Sequence, residues 1–294
     1  MPPELVDPTP LLTASRVTIV AGKGGVGKTT VTAVLARAAA RAGQRVLVVE
    51  LDGKPALRDL VAGIDCEQIS APAALEEYLR EHGFGRVAKR LSASGVIDVV
   101  ATAAPGIDDI VVLGKVKQLE RSGEWDVIVV DGPAAGHAIR FLTSAAGLLE
   151  AVRGGPVRSQ AADVVEMLRD PERSQVVLVT LPETTPVNEA VQTAYALEDR
   201  VGVKLGPVVV NNVDGLGTPG IPDPADVDLD GEDCAGVLTA AAAFRRARHA
   251  VQDTEIERLG KELALAQWHL PMLPVAGLDA DDIAVLAASL RSGA

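Results

Sequence analysis

The sequence predicts an α/β fold: a doubly wound, mainly parallel sheet with a small peripheral helical layer. Three observations carry this expectation. Short runs rich in Val, Ile and Leu recur along the 294 residues. The runs do not alternate polar with apolar, as befits strands buried on both faces. Helix-competent stretches separate them, as parallel crossovers require. In chain order the strands are read as Arg16–Ala21, Arg45–Leu51, Ile97–Thr102, Asp126–Val130, Gln175–Thr180, Gly206–Val210 and a weaker Leu270–Val275. A fold of this kind takes its ligand at the C-terminal ends of the strands.

The first strand is followed by Gly22-Lys23-Gly24-Gly25-Val26-Gly27-Lys28-Thr29-Thr30. This satisfies G-x-x-x-x-G-K-[ST], in which glycines let backbone N–H groups curl around phosphate oxygens. Lys28 is then placed to reach the β- and γ-phosphates, and Thr29 to put its hydroxyl on Mg²⁺. The Ala-rich stretch Val31–Ala42 predicts a helix whose N-terminus faces the phosphates with about half a unit of positive charge. A plain glycine turn would explain the loop alone, but not the strand before it and the helix after it. These residues predict a P-loop site for a nucleoside triphosphate with Mg²⁺.

Residues 72–92 and 138–172, which include the helical stretches Leu75–Leu91 and Phe141–Leu168, lie between core strands and are expected to form the peripheral layer. Asp214–Asp233 is rich in Gly, Pro and Asp and is read as an exposed acidic loop. Its Asp226-Val227-Asp228-Leu229-Asp230-Gly231 looks like the opening of a calcium loop, but Val237 stands where the bidentate Glu is needed. Residues 1–14 are read as a disordered tail and 15–294 as one domain.

Composition narrows the partners. Hydrophobic residues make up 48% of the chain and aromatics only 2%, so the core must be built from Ala, Val, Leu and Ile. The net charge of −12 makes the average surface repel DNA and anionic headgroups. Cys66 and Cys234 have no C-x-x-C spacing, so neither a zinc site nor a disulfide framework is expected. The start of the chain has neither the basic region nor the apolar core of a signal peptide, and the uncharged runs fall short of the roughly 18 residues of a spanning helix. A cytoplasmic protein is expected.

The second nucleotide element is Val127-Ile128-Val129-Val130-Asp131, an apolar strand ending in an aspartate that can order Mg²⁺, usually through water. It continues as Gly132-Pro133-Ala134-Ala135-Gly136-His137-Ala138-Ile139-Arg140-Phe141-Leu142. With its preceding Asp131 this stretch resembles switch II of the ArsA/Get3 ATPases, D-x-x-P-x-G-H-x-x-R-x-L with one-residue latitude. Pro105-Gly106-Ile107-Asp108-Asp109, Leu181-Pro182-Glu183 with Glu189, and Val210-Asn211-Asn212 are similar to three further motifs of that family, in the same order. Lys23, directly after the first glycine, resembles the signature lysine of the deviant Walker A group.

The resemblance implies roles. Lys23 would reach the nucleotide of a partner subunit, so a dimer is expected, either homomeric or with a paralogue. Asp52 would be the switch I aspartate that orients and polarises the attacking water. Asn211 would contact the adenine, with Leu273-Pro274-Val275 packing near the base, and Glu189 would face the nucleotide across the dimer. His137 is expected to pack or hydrogen-bond within the switch, and Arg140 to fix the switch helix. The client is an unknown protein or a membrane partner.

The sequence also departs from the family. Glu50-Leu51-Asp52-Gly53-Lys54-Pro55 replaces the usual Asp-Pro-Ala-His, so Asp52 can also be read as an N-cap for the following helix. Three methionines make no Met-rich groove. Two other readings stay open: a MinD/ParA-like positioning ATPase, which the acidic C-terminal stretch disfavours, and a non-hydrolysing scaffold that binds ATP without turnover.

Overall fold

The computed structural model describes residues 7–51, 55–84, 106–215 and 232–292. The strands are β1 (Val17–Gly22), β2 (Val46–Glu50), β3 (Asp65–Gln68), β4 (Val127–Ala134), β5 (Ser174–Thr180), β6 (Leu205–Val213), β7 (Gln267–Pro271) and β8 (Arg291–Ser292). They form one sheet in the order β3-β2-β4-β1-β5-β6-β7-β8, and only the pairing of β7 with the two-residue β8 is antiparallel. The expected fold class is therefore the observed one.

The helices are α1 (Thr9–Leu12), α2 (Lys28–Arg41), α3 (Pro55–Leu60), α4 (Ala71–Leu79) with a π-helical turn at Arg80–Phe84, α5 (Ile107–Ser122), α6 (Ala135–Ala151), α7 (Pro156–Arg169), α8 (Thr184–Arg200), α9 (Glu232–Glu262) and α10 (Ala280–Ala288). Strand side chains divide between two cores. Ile19, Leu47, Val49, Val130 and Leu178 pack with α5 to α8, whereas Val20, Val48, Val129, Val179 and Val209 pack with α2 and α10. Each strand thus feeds both faces, which is why its sequence shows no alternation. Small side chains let α2 lie close on the sheet, with Ala33, Ala36, Ala38 and Ala39 buried.

Several expectations need correction. β3, Asp-Cys-Glu-Gln, escapes the apolar-run criterion because it is a short, half-exposed edge strand. The last parallel strand lies three residues before the expected start at Leu270, where Trp268 and Leu270 are buried. Phe141–Leu168 is two helices, not one: Gly155 at φ +86° and Pro156 at the first helical position break it. Within the segment read as a disordered tail, Thr9–Leu12 form a helical turn and Leu12 is fully buried. Asp214, read as part of an exposed loop, is buried and accepts a 2.9 Å hydrogen bond from Arg245 Nη2. The expected strand Ile97–Thr102 lies outside the described residues, as does most of the acidic loop.

His269 on β7 is buried, and burial pushes its imidazole down to about 4. In the unfolded chain the ring titrates near 6.5, so the unfolded state binds the extra proton first as pH falls. Stability is then full above pH 6.5 and is lost as pH drops towards 4. Urea titrations at pH 7 and pH 5 should differ by about 2 kcal/mol on this account, and His269→Gln should flatten that limb.

No helix among the described residues is long and apolar enough to cross a membrane.

Candidate nucleotide site

The site forms where β1 ends and α2 begins. Gly22 is the last residue of β1, and a Cβ there would lie 2.4 Å from the carbonyl oxygen of Val179 on β5. The chain then turns through Lys23–Gly27 and enters α2 at Lys28, with Gly27 at φ +89° as the cap. At Gly27 a Cβ would also meet Asn211 Nδ2 at 2.2 Å. Both conditions demand glycine. At Gly24 and Gly25 the added Cβ would meet nothing within 4 Å, so the loop's mouth has room for phosphate oxygens beside the helix N-terminus.

Side chains converge on this loop. Thr29 Oγ1 donates to Asp131 Oδ2 at 2.9 Å, and Thr32 Oγ1 donates to Asp131 Oδ1 at 3.4 Å. Asp131 is only 3% exposed. A hydroxyl and a buried carboxylate are the hard oxygen donors that Mg²⁺ favours, so the residues present fit the ion. Lys28 is buried and its Nζ donates to the Lys23 carbonyl at 3.1 Å. Asn211 Nδ2 donates to the Val26 carbonyl at 3.0 Å, tying the end of β6 to the loop. Thr30 sits half-buried in the first turn of α2.

Lys23 does not point away from its own protomer. Its Nζ makes a 2.5 Å ion pair with Glu189 Oε1 on α8. Two residues each expected to face a nucleotide across the dimer thus pair with each other within one chain. Asp52 lies outside the described residues. Pro274 is exposed in the loop after β7 and makes no hydrogen bond to the phosphate loop among the described residues.

Sequence reasoning missed three features here. Thr32, one helical turn after Thr29, shares its face of α2, and helical periodicity could have shown it. Strand register sets Glu50 directly beside Asp131, and both follow the side-chain parity of the α2 face. The third is a junction. The strand carrying Asp131 continues to Ala134 and passes directly into α6, where His137 and Arg140 are exposed. These two line a small cavity of about 230 Å³ together with Asp108, Asp109 and Phe141. Burial, and then the neighbouring Asp108, hold the Asp109 carboxyl above its ordinary range, against the pull of Arg140 and His137.

The helices α4, α5 and α7 line a solvent-open cavity of about 550 Å³. Its walls are polar: Lys115 pairs with Glu77 at 2.8 Å and Lys117 with Asp163 at 2.9 Å. Gly114 lets α7 approach, since a Cβ there would overlap the Gln160 side chain.

Comparison with known proteins finds similarity to ATPases. Residues 15–153 match the anion-transporting ATPase family. The chain is 28% identical over 319 aligned positions to the ATPase BagA of Mycobacterium tuberculosis, covering 95% of this chain and 93% of that protein. It is 32% identical over 222 positions to a putative arsenical pump-driving ATPase of Halobacterium salinarum, covering 65% of this chain but 34% of that one. With the ATPase GET3B of Arabidopsis thaliana the identity is 25% over 258 positions, covering 65% and 62%.

Proposed function

Because the chain is of the ArsA/Get3 type, with residues 15–153 matching the anion-transporting ATPase family, we propose that it is a cytoplasmic, ATP-hydrolysing nucleotide switch. Its protomers close in pairs on Mg-ATP, and hydrolysis reopens them. The observation that carries the reading is the Thr29–Asp131 pair at 2.9 Å, set with Lys28 at the mouth of an open glycine loop.

The residues divide the work as follows. Backbone N–H groups from Gly24 to Thr30 bind the phosphates, and Lys28 exchanges the Lys23 carbonyl for phosphate oxygens. Thr29 and Asp131 would hold Mg²⁺, which would neutralise charge on the phosphates. Asp52 orients and polarises the attacking water. Asn211 and the Pro274 loop flank the adenine. Phosphoryl transfer asks for little covalent help, so positioning and charge supply most of the barrier reduction.

Lys23 has to leave Glu189 to serve a partner's nucleotide. The pair is partly exposed, at 40% and 34%, and such pairs are worth about 0–1 kcal/mol. A phosphate is a stronger anion than a solvated carboxylate, so the exchange is favourable once two protomers meet. The movement has a route outward: Asp131 leads through the end of β4 into α6, α6 meets the first turn of α5, and α5 forms the polar cavity with α4 and α7. The helical layer is the surface for a client or partner.

Calorimetry should show uptake of Mg-ATP that Lys28→Ala abolishes. Phosphate release should fall at least tenfold in Lys23→Ala while uptake by each chain persists. No uptake by well-folded protein would refute the reading, and uptake with background release from every form would favour the scaffold.

A further inference from the structure

Glu50 closes β2 and is 5% exposed, and its register partner on β4 is Asp131, at 3%. Val48 and Val129 stand two residues earlier on these strands and pack in the core shared with α2. Strand side chains return to the same face every second residue, so both carboxylates turn to the α2 face, on strands about 4.8 Å apart. That is the face from which Thr29 and Thr32 reach Asp131. On its other flank Glu50 lies near Cys66 of β3: burial pushes that thiol up, Arg58 pulls it down, and the Glu50 charge adds to the rise. Glu50 also opens the stretch Glu50–Pro55 in which the sequence departs from its family.

We propose that Glu50 is the second carboxylate of the Mg²⁺ site, acting through the waters that the ion keeps, and that it makes this chain select the metal complex of the triphosphate over the bare nucleotide. The proposal rests on the Mg-ATP reading above and deepens it, adding a residue outside both the phosphate loop and the Asp131 strand. The chemistry is that of the ion. Mg²⁺ takes one or two carboxylates beside substrate phosphates and holds on to several waters. Two neighbouring carboxylates disfavour each other's charged form, and a dication reverses that preference.

Position divides the labour. The phosphate loop leaves the end of β1; Asp131 stands one strand away from it and Glu50 two. Asp131 is close enough to accept from Thr29 of the loop's own helix, whereas Glu50, one strand further out, reaches the water shell. With the metal present, Glu50 adds favourable charge to the site. Without it, Glu50 and Asp131 oppose a bare triphosphate, which is itself strongly negative. Removing the charge at position 50 therefore has opposite effects on the two ligands: the metal complex binds less tightly and the bare nucleotide more tightly. A side chain that only packs, or only serves Arg58 and Cys66, has no means of moving the two affinities apart.

The test is calorimetry of ATP binding to the full chain, once in excess Mg²⁺ and once in a chelator, for the parent and for Glu50→Gln. The parent should prefer the metal complex. In Glu50→Gln that preference should shrink by about tenfold or more, with bare ATP bound more tightly than by the parent. Glu50→Asp, which keeps the charge, should hold the preference to within about threefold of the parent's. Glu50→Ser gives the same reading as Glu50→Gln in a smaller side chain, should the amide not fold. A folded Gln or Ser variant with the parent's preference, or one in which both affinities move together, would overturn the proposal; a lowered Tm beside an unchanged preference would assign Glu50 to Arg58 and Cys66 instead. A parent chain that takes up neither form of ATP would overturn the nucleotide reading and this proposal with it, an outcome distinct from a parent that binds and a variant that does not differ.

Discussion

Replacing Asp52 with Asn should lower phosphate release by roughly 10²- to 10⁴-fold, the range expected when a positioned base or water-orienting carboxylate is lost. Binding of Mg-ATP should be almost unchanged, because the proposed contacts to the phosphates come from the Gly24–Thr30 loop. The substitution also separates the two readings of this residue. Asn caps a helix about as well as Asp, so if Asp52 served only the helix that begins at Pro55, neither stability nor turnover would move. Single-turnover phosphate release against a thermal melt of the same sample checks both. Unchanged release would remove Asp52 from the chemistry.

Gly22→Ala should act through the fold. The added Cβ would sit 2.4 Å from the Val179 carbonyl oxygen, and that atom belongs to the β5 backbone paired with β1. No rotamer relieves such a contact, so one or both strands must shift. An overpacked core site costs about 3 kcal/mol, which for a domain of this size lowers Tm by about 5 °C. Because the phosphate loop starts at this residue, Mg-ATP affinity should fall more than tenfold as well. Gly24→Ala is the contrast: its Cβ meets nothing within 4 Å, so Tm should hold while affinity falls as the methyl enters the phosphate space. Equal melts for Gly22→Ala and the parent would contradict the close approach of β1 and β5.

The parallel core could be read from sequence where strands are long and wholly apolar. Ile19, Val48, Val129 and Leu178 announce buried strands because each stands in a short unbroken run rich in Val, Ile and Leu, with helix-competent stretches between the runs. β3 and β8 could not be read so: one has no buried apolar face, and the other is two residues long. The break between α6 and α7 was legible in Gly154-Gly155-Pro156 but was hidden by the apolar helical pattern on either side. At the site, Thr29 and Asp131 follow from motif chemistry, since a hydroxyl and a strand-end carboxylate have a fixed relation to the phosphate loop. The pairing of Lys23 with Glu189 joins residues 166 positions apart, and no local pattern encodes it. The meeting of Asp109 with Arg140 is of the same kind: each motif was visible, but their adjacency is a property of the packed helices.

The Lys23–Glu189 pair has a consequence for a solitary molecule. In a solitary chain the signature cation rests on its own α8 through a weak, partly exposed pair, and in the proposed cycle a second protomer's nucleotide would draw it away. Under the proposed function, phosphate release per chain should rise with protein concentration, because only an encounter brings Lys23 to another protomer's nucleotide.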